Sequence, residues 1–376
     1  MVAQKDGFVR KLAVLAPSQS ARSWNQDKTV KKIVIERPGG YHRLQVKESP
    51  TPTPQNHEVL VDVSAAGVNF ADVFIRLGLY KSAKEFVGWP ITPGFDFSGK
   101  VIRCGRDVSD LAERTPVFGV TRFGAYSSHL CVSRAQVFLI PKGSRFDADH
   151  WAAFPTVFLT AYHGLFQNIR IRPQMKILVH SAAGGVGGAL LQLGKIANCH
   201  MVGVVGAGHK VAPALEYGAD VVIDKSKDDL WAKAEDICPN GFDVVFDANG
   251  PATLKQSYQH LAASGKLVTY GFHSMLSRRG GFANYPKLAY QYFRIPKWNP
   301  LHMTNENKSL IAFNLSYLFD RMDLLKEAMQ DLMQWVAEGK IRPPTLQAYP
   351  FEKVADAHRA LESGKTVGKL ILKFES

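Results

Sequence analysis

The chain has 376 residues, 46% of them hydrophobic and 21% charged, which is typical of a folded globular protein and excludes a disordered one. Its net charge of +13 is dispersed without a dense basic run, so we predict no nucleic-acid partner. The four cysteines lie far apart without metal-ligand spacing, which excludes a cysteine-rich zinc lobe and favours a reducing compartment. No stretch approaches the roughly 18 apolar residues that span a bilayer. We therefore expect a cytoplasmic protein, with contact at a membrane surface left open.

The first 28 residues differ in composition from the rest of the chain. They combine basic residues and serines with a short apolar segment at residues 12–16, too short for the core of a secretory signal. We predict a flexible N-terminal extension over residues 1–28. An organelle transit peptide is the alternative, and Asp6 and Asp27 argue against it.

The next part of the chain, to about residue 154, has the alternating pattern of β-strands. Proline-rich residues 50–54 predict a stiff, extended connection ahead of the first long strand. The predicted strands are 59–63, 99–102, 127–132 and 136–140. A helix predicted from residue 155 to about residue 168 leads into the following segment.

From residue 176 to about residue 271, predicted strands alternate with helices, a spacing that indicates a parallel sheet with helices on both faces. The predicted strands are 176–182, 200–205, 221–223, 242–247 and 266–270. Later segments predict helices over 322–338 and 351–362 and a last strand at 369–374, which we expect to return to the N-terminal domain.

A glycine-rich turn follows the strand predicted at 176–182 and precedes a helix, as in a dinucleotide-binding unit. Gly184 allows the backbone to approach a pyrophosphate, and Gly187 allows the helix to pack closely on the strand. Free N–H groups at the start of the helix would face the negative charge. The predicted cofactor-binding residues of this turn are Ala183, Gly184, Gly185, Val186 and Gly187. The alternative is a tight turn without a ligand.

The residues after the second strand of this unit favour NADPH over NADH. A site for NADH would end that strand with an acidic residue for the ribose 2′-hydroxyl, whereas this chain continues with Gly206 and no acid. His209 could attract a 2′-phosphate, as would Lys210 and, after the third strand, Lys225. The alternative is that both are ordinary surface lysines of a basic protein.

Several ordered runs resemble one protein superfamily. They are residues 65–72, 76–80, 182–187, 265–271, 350–357 and 367–369. Over about residues 30–375 the chain resembles the medium-chain dehydrogenases/reductases, especially the zinc-independent quinone oxidoreductases in the branch of the vesicle amine transport protein homologues. The resemblance implies an α/β fold with a doubly wound parallel Rossmann sheet and a β-rich, GroES-like catalytic domain. It also implies a homodimer.

The domain boundaries follow from the strand pattern and this resemblance together. We predict that residues 29–156 and 302–376 form the catalytic domain, which is discontinuous in sequence. Residues 157–301 are predicted to form the dinucleotide-binding Rossmann domain.

The resemblance also bears on the chemistry. Zinc alcohol dehydrogenases of this superfamily have zinc ligands where this chain has Asn69, Phe95 and Thr156, none of which suits zinc. This implies a metal-free hydride transfer to a quinone or an α,β-unsaturated carbonyl compound. Asn69 would lie beside the substrate carbonyl, although a loop-capping asparagine is the alternative. Tyr80 would line the same cleft and donate a proton or stack on an aromatic acceptor, although it could serve packing alone.

Further cofactor-binding residues are implied by the resemblance. Ligands of a doubly wound sheet lie outside the carboxyl ends of its strands. The implied residues are Thr160, Asn249, Gly250, Gly271, Phe272, Phe313 and Asn314. Asp72 and Asp96 are interpreted as stabilising the fold rather than as an acid or base.

Two functions remain open at this stage. The first is an NADPH-dependent reductase of quinones or enones, its proton coming from water or the cofactor ribose. The second is a non-enzymatic NADPH-binding protein that acts at a membrane surface or with a protein partner. The segment 285–303, basic and aromatic, could serve as a lid, a membrane-facing patch or a plain connection.

Overall fold

The computed structural model describes residues 29–276 and 281–374, so the extension predicted over residues 1–28 lies outside the described residues. The strands are β1 (Thr29–Val34), β2 (Gln45–Pro50), β3 (Glu58–Val68), β4 (Asp96–Cys104), β5 (Pro116–Val120), β6 (His129–Ser133), β7 (Val137–Leu139), β8 (Lys176–His180), β9 (His200–Val205), β10 (Val221–Asp224), β11 (Phe242–Asp247), β12 (Leu261–Thr269), β13 (Ser309–Ala312), β14 (Leu346–Pro350) and β15 (Lys369–Lys373). The α-helices are α1 (Phe70–Arg76), α2 (Lys81–Phe86), α3 (Ala148–Ala153), α4 (Pro155–Tyr162), α5 (Gly185–Ile196), α6 (Val211–Glu216), α7 (Leu230–Ile237), α8 (Leu254–Gln259), α9 (Tyr285–Phe293), α10 (Pro300–Glu306), α11 (Met322–Ala337) and α12 (Val354–Glu362).

The first domain is built on a seven-stranded sheet with the order β14-β15-β3-β4-β5-β7, in which β6 also pairs with β3. The last strand of the chain, β15, lies antiparallel to β3, with Leu370 opposite Val68. The predicted return of the C-terminal segment to the N-terminal domain is therefore correct. The hairpin of β1 and β2 forms a separate two-stranded sheet, which the sequence analysis did not predict.

The second domain is a parallel sheet of six strands with the order β10-β9-β8-β11-β12-β13. The central strand β8 is buried because apolar clusters cover both faces of the sheet; its residues Ile177, Leu178 and Val179 have no exposed surface. The strand order reverses between β8 and β11, so the carboxyl ends of β8, β9, β11 and β12 border one crevice. The predicted doubly wound sheet is confirmed.

The end of the second domain lies later in the chain than predicted. β13 pairs in parallel with β12, with Leu310 opposite Leu267, and forms the sixth strand of the sheet. The predicted boundary at residue 301 is therefore too early. β13 has only four residues and no clear alternation. Its position in the sheet depends on pairing with β12, which the local sequence does not reveal.

A buried histidine makes the stability of this fold sensitive to acid. His358 of α12 has no exposed surface, and both of its ring nitrogens lack a hydrogen-bond partner among the described residues. Burial, together with the charge of Arg76, lowers the pKa of His358 well below its usual value of 6.5. As the pH falls below 6.5, the unfolded chain gains a proton that the folded chain does not, so stability is lost.

We expect His358→Leu to raise the free energy of unfolding by about 1 kcal/mol at pH 7.5, because it removes unsatisfied polar atoms from a buried site. Between pH 7.5 and pH 5.5 the variant should also lose less stability than the parent chain, whose slope from this residue approaches roughly 1.4 kcal/mol per pH unit. Urea unfolding at the two pH values measures both effects. His302→Leu, on the exposed surface of α10, is the matched control. Equal slopes in the parent and the His358 variant would contradict the prediction.

Candidate active site

A cavity of about 1110 Å³ lies between the two domains, where the carboxyl ends of the parallel strands face the start of α1 and of α4. All predicted site residues except Gly250 line it, and their individual roles remain predictions. These lining residues are Asn69, Tyr80, Thr160, Ala183, Gly184, Gly185, Val186, Gly187, Gly206, Lys210, Lys225, Asn249, Gly271, Phe272, Phe313 and Asn314.

The glycine turn has the close geometry that a dinucleotide site requires. β8 ends at His180, two residues before the predicted end, because Ser181 has a φ of 56° and starts the turn. The N–H of Gly184 donates to the carbonyl of Ser181 (2.9 Å). A Cβ atom on Gly187 would lie 2.3 Å from the same carbonyl oxygen, so only glycine fits there. α5 begins at Gly185, and its first N–H groups form a site suited to an anion at the cavity wall.

The two predicted phosphate-binding lysines lie on the cavity wall near the end of β9. The ammonium of Lys210 donates to the carbonyl of Gly364 (2.7 Å), which fixes its position between the two domains. Lys225 follows β10, and its Cε lies 3.6 Å from the point where a Cβ of Gly206 would be. His209 instead contacts the carbonyl of Lys365 through Nε2 (3.0 Å) and does not line the cavity.

One carboxylate near this end of the cavity was not predicted from the sequence. Asp224, the last residue of β10, is 6% exposed, and its Oδ2 lies 3.6 Å from the point where a Cβ of Gly208 would be. Hydrogen bonds from Ser226 hold the pKa of Asp224 below its usual value, so the group is ionised at neutral pH. Asp224 belongs to the neighbouring strand β10, whereas the prediction of no acid considered only the residues that follow β9.

The cofactor residues expected near the nicotinamide surround the other part of the crevice. Thr160 Oγ1 donates within α4 to the carbonyl of Thr156 (2.7 Å), which leaves its lone pairs to accept a bond from a ligand. Phe313 lies beside Tyr270, with their rings nearly parallel and 6.2 Å apart. Gly250 does not line the cavity; its φ of 85° and its N–H bond to Asp247 Oδ1 (3.2 Å) give it a turn-forming position behind the wall.

A buried polar network joins Asn69 to the last strand of the chain. Asp96 Oδ2 accepts from Asn69 Nδ2 (2.8 Å) and from the ammonium of Lys369 (3.1 Å). Lys369 also donates to Asn69 Oδ1, and Thr156 donates to Asp96 through its N–H (2.7 Å) and its hydroxyl. Lys369 also lines the cavity. It belongs to the resembling run 367–369, but it was not predicted to be a site residue.

Asp72 holds the start of α1 in place. Its carboxylate accepts from the N–H of Asn69 (2.8 Å), the N–H of Gly94 (2.9 Å) and the hydroxyl of Tyr126 (3.0 Å). Burial raises the pKa of Asp72 to about 7, although the same donors favour its charged form. These contacts fix the backbone that carries Asn69, consistent with the interpretation of Asp72 as a structural residue.

Tyr80 is held at the cavity by the second domain. Its hydroxyl donates to Asn314 Oδ1 (2.8 Å), which also accepts from the N–H of Ser316 (3.0 Å). The ring lies edge-on to Phe95 with 6.1 Å between centroids. Burial raises the pKa of Tyr80, so the phenol keeps its proton at neutral pH.

The residues at the zinc-ligand positions do not form a zinc site. Asn69 and Thr156 offer an amide and a hydroxyl and are both bonded to Asp96, while Phe95 offers no donor atom. Asp96 itself is paired with Lys369, whose ammonium competes with a metal for the carboxylate. Within residues 29–276 and 281–374, no three histidine, cysteine, aspartate or glutamate side chains are grouped closely enough to hold a metal ion.

Comparison with known proteins identifies the family. Residues 55–142 match the alcohol dehydrogenase GroES-like domain, and residues 217–372 match the family described as zinc-binding dehydrogenase. The synaptic vesicle membrane protein VAT-1 homolog of Danio rerio is 34% identical over 92% of this chain and 70% of its own length. Its Homo sapiens counterpart is 32% identical over 90% of this chain and 85% of its own length. The chain belongs to the medium-chain dehydrogenase/reductase superfamily.

Solved structures agree with this assignment. The Escherichia coli quinone oxidoreductase complexed with NADPH superposes with a TM-score of 0.79 at 27% identity, over 91% of this chain and 99% of that chain. The human VAT-1 homolog-like protein gives a TM-score of 0.77 at 26% identity, over 93% of this chain and 99% of that chain. Within the superfamily, the chain falls in the zinc-independent quinone oxidoreductase branch, as the resembling runs predicted. The protein is thus an oxidoreductase by family, and these neighbours support binding of a nicotinamide cofactor.

Proposed function

We propose that the protein is an NADPH-dependent reductase of quinones or α,β-unsaturated carbonyl compounds. The observation that carries this proposal is that one cavity joins the glycine turn and two lysines to Asn69 and Tyr80. The quinone oxidoreductase crystallised with NADPH supports the choice of cofactor. The position of Asp224 beside the loop after β9 argues for NADH instead, so the preference needs a direct test.

In this proposal different parts of the cavity bind the cofactor and the acceptor. Bound NADPH would supply a hydride, and thus two electrons, to the acceptor. The α5 N-terminus and Lys210 would hold its phosphates, while Phe313 and the loop after β12 would confine its ring. Asn69 is kept at the acceptor end by Asp96 and Lys369. Positioning and the exclusion of water would then supply most of the rate.

In this proposal Tyr80 gives the acceptor oxygen its proton. When its hydroxyl turns from Asn314 Oδ1 toward a substrate, that oxygen still accepts from the N–H of Ser316, so the change leaves no buried acceptor unsatisfied. The oxygen of the reduced acceptor takes the proton, and a solvent proton restores the phenol.

The assay mixes the protein with NADPH and a panel of ortho-quinones and 2-alkenals and follows the absorbance of the reduced nicotinamide. Oxidation of NADPH that depends on both protein and acceptor supports the proposal. Absence of turnover across the panel, in protein shown to bind NADPH, would overturn it. Metal analysis accompanies the assay, because stoichiometric zinc in active protein would contradict the metal-free reaction.

We expect Tyr80→Phe to lower kcat about tenfold without changing the Kd for NADPH, because general acid catalysis is lost while water and the cofactor ribose remain alternative proton sources. Steady-state rates and equilibrium titration separate the two quantities. Tyr317→Phe is the matched control, since Tyr317 bonds to Glu85 outside the cavity. An unchanged kcat in the Tyr80 variant would assign this residue to packing.

A non-enzymatic role at a membrane surface is the second candidate, and the exposed face of α9 favours it. Tyr285, Tyr290, Tyr292 and Phe293 are exposed there, and the guanidinium of Arg294 lies over the ring of Tyr290. Aromatic and basic side chains together suit the interface of an anionic bilayer. No helix in the described ranges is long and apolar enough to cross a membrane. Flotation with anionic and neutral vesicles, compared between the parent chain and Phe293→Ser, tests this role.

We further propose that the protein forms a homodimer through its cofactor domain. β13 is an edge strand of the six-stranded sheet, so its outer backbone groups are available for pairing with a second copy. Sedimentation velocity would show a dimer, and a monomer at micromolar concentration would overturn this proposal.

A further inference from the structure

Part of the cavity wall next to Asn69 and Tyr80 is apolar, and we call it the apolar arm. Its lining residues here are Phe70, Phe74, Leu79 and Leu276. Leu276 is buried with Val73 and Leu77, whereas the two phenylalanines of α1 remain partly exposed to the cavity. Apolar surface left open inside a cavity gains free energy when an apolar group of a ligand covers it. These residues cluster with one another and with none of the residues of the glycine turn, so the arm suits the tail of an acceptor rather than the cofactor.

An ammonium group lies beside the apolar arm, bonded to one of its residues. Lys287, in the first turn of α9, lines the cavity and donates to the carbonyl of Leu276 (2.6 Å). Among the described residues no carboxylate lies within 4.0 Å of this ammonium. The bond to Leu276 uses one of three donors and anchors the charge at the wall, which leaves the other donors for a ligand.

The other lysines of the cavity have different surroundings. Lys81 pairs with Glu85 (3.2 Å), and Lys369 pairs with Asp96 (3.1 Å). Lys210 and Lys225 lie with the end of β9, at the cofactor end of the cavity. Lys287 therefore differs from the other lysines that line the cavity. It is not paired with a carboxylate among the described residues, and it does not lie at the cofactor end.

Within the described ranges, an unpartnered hydroxyl lies in the turn against which α9 packs. It belongs to Ser274, whose N–H donates to the carbonyl of Asn249 (2.8 Å). The Oγ of Ser274 is buried and has no hydrogen-bond partner among the described residues, and Ser274 lines the same cavity. Ser274 belongs to the single turn His273–Met275, against which α9 packs. An unsatisfied buried hydroxyl is costly, and rotation about the Cα–Cβ bond of Ser274 would turn it to the cavity, where a ligand could bond to it.

We propose that the acceptor is an amphiphile, with a reducible enone or quinone near Asn69 and Tyr80, an apolar tail along the arm, and an anionic end held by Lys287 and Ser274. A terminal carboxylate is the simplest such group. This inference rests on the proposed function for the reducible end. The anion subsite itself can be tested by binding alone.

The experiment compares 2-alkenals that carry a terminal carboxylate with their methyl esters at equal chain length, over a series of lengths. We expect kcat/KM to favour the carboxylate about tenfold at the length that spans the arm, because a charge-assisted hydrogen bond is gained, and not at shorter lengths. The matched saturated carboxylate and ester are titrated into the NADP⁺-loaded protein as a readout that needs no turnover.

Two variants and one control locate the effect. Lys287→Gln should remove the preference for the carboxylate while leaving the rate with the ester unchanged, and Lys287→Arg should retain part of the preference. Arg294→Gln removes an exposed cation from the same helix outside the cavity and should change neither.

The outcomes separate this inference from the proposed function. If the esters are reduced but carboxylates have no advantage, the anion subsite is wrong and the reductase stands. If no acceptor is reduced, the reductase is wrong, and the saturated carboxylate decides the subsite. Binding that is about tenfold weaker in Lys287→Gln supports the subsite, and binding that is equal in both proteins overturns it.

Discussion

Lys210→Glu is expected to weaken NADPH binding about a hundredfold while changing NADH binding less than about threefold. The ammonium is fixed at the end of β9 by the carbonyl of Gly364, so it needs little reorganisation to meet a 2′-phosphate. Loss of a charge-assisted bond costs roughly 1.5–3 kcal/mol, and the new carboxylate adds repulsion. The lost bond and the added repulsion together cost about 3 kcal/mol of binding free energy, which corresponds to a weakening of about a hundredfold. NADH lacks this phosphate, so the affinity for NADH should change little.

Equilibrium titration of both cofactors measures this change in preference, and thermal stabilisation at saturating cofactor gives an independent reading. Lys233→Glu reverses a charge on the exposed side of α7, away from the cavity, and controls for net charge. Asp224→Asn should have the opposite effect. Removing the carboxylate beside Gly208 should strengthen NADPH binding several-fold. If Lys210→Glu weakens both cofactors equally, the phosphate site lies elsewhere.

Local sequence patterns predicted the parallel sheet well because its strands are short, apolar and separated by turns. β9 and β11 have the bounds predicted for them, and the glycine turn lies between β8 and α5 as expected. These features depend on neighbours in the chain. The hairpin of β1 and β2 was missed because its partly polar strands carry a weaker pattern.

The parts of the site that the sequence did not reveal depend on distant residues. Lys369 meets Asn69 across 300 positions and Asp96 across 273 positions, so nothing local distinguishes it from a surface lysine. Asp224 approaches Gly208 from the neighbouring strand. The position of Lys287 at the cavity depends on how α9 packs against the turn after β12. Gly250 was assigned to the cavity from its place after β11, but its turn directs it behind the wall.

The network around Lys369 is expected to carry the largest effect on stability. Lys369 is 4% exposed, and its ammonium stands between Asn69 and the fully buried Asp96. Removing one partner of a buried pair leaves an uncompensated charge, which costs about 3–5 kcal/mol. Lys369→Met should therefore lower the free energy of unfolding by about this amount, measured by urea denaturation in the absence of cofactor.

Two further variants show whether the cost comes from the unpaired charge. Asp96→Asn in the Lys369→Met background removes that charge and should recover about half of the lost stability, while the cycle of single and double variants gives the coupling energy. Lys373→Met, on the same strand, breaks the more exposed pair with Asp149 and should cost less than about 1 kcal/mol. Equal losses in the two lysine variants would mean that Lys369 does not compensate the charge of Asp96. Unequal losses with the expected recovery would identify this ammonium as the cation that compensates the buried charge of Asp96 beside Asn69.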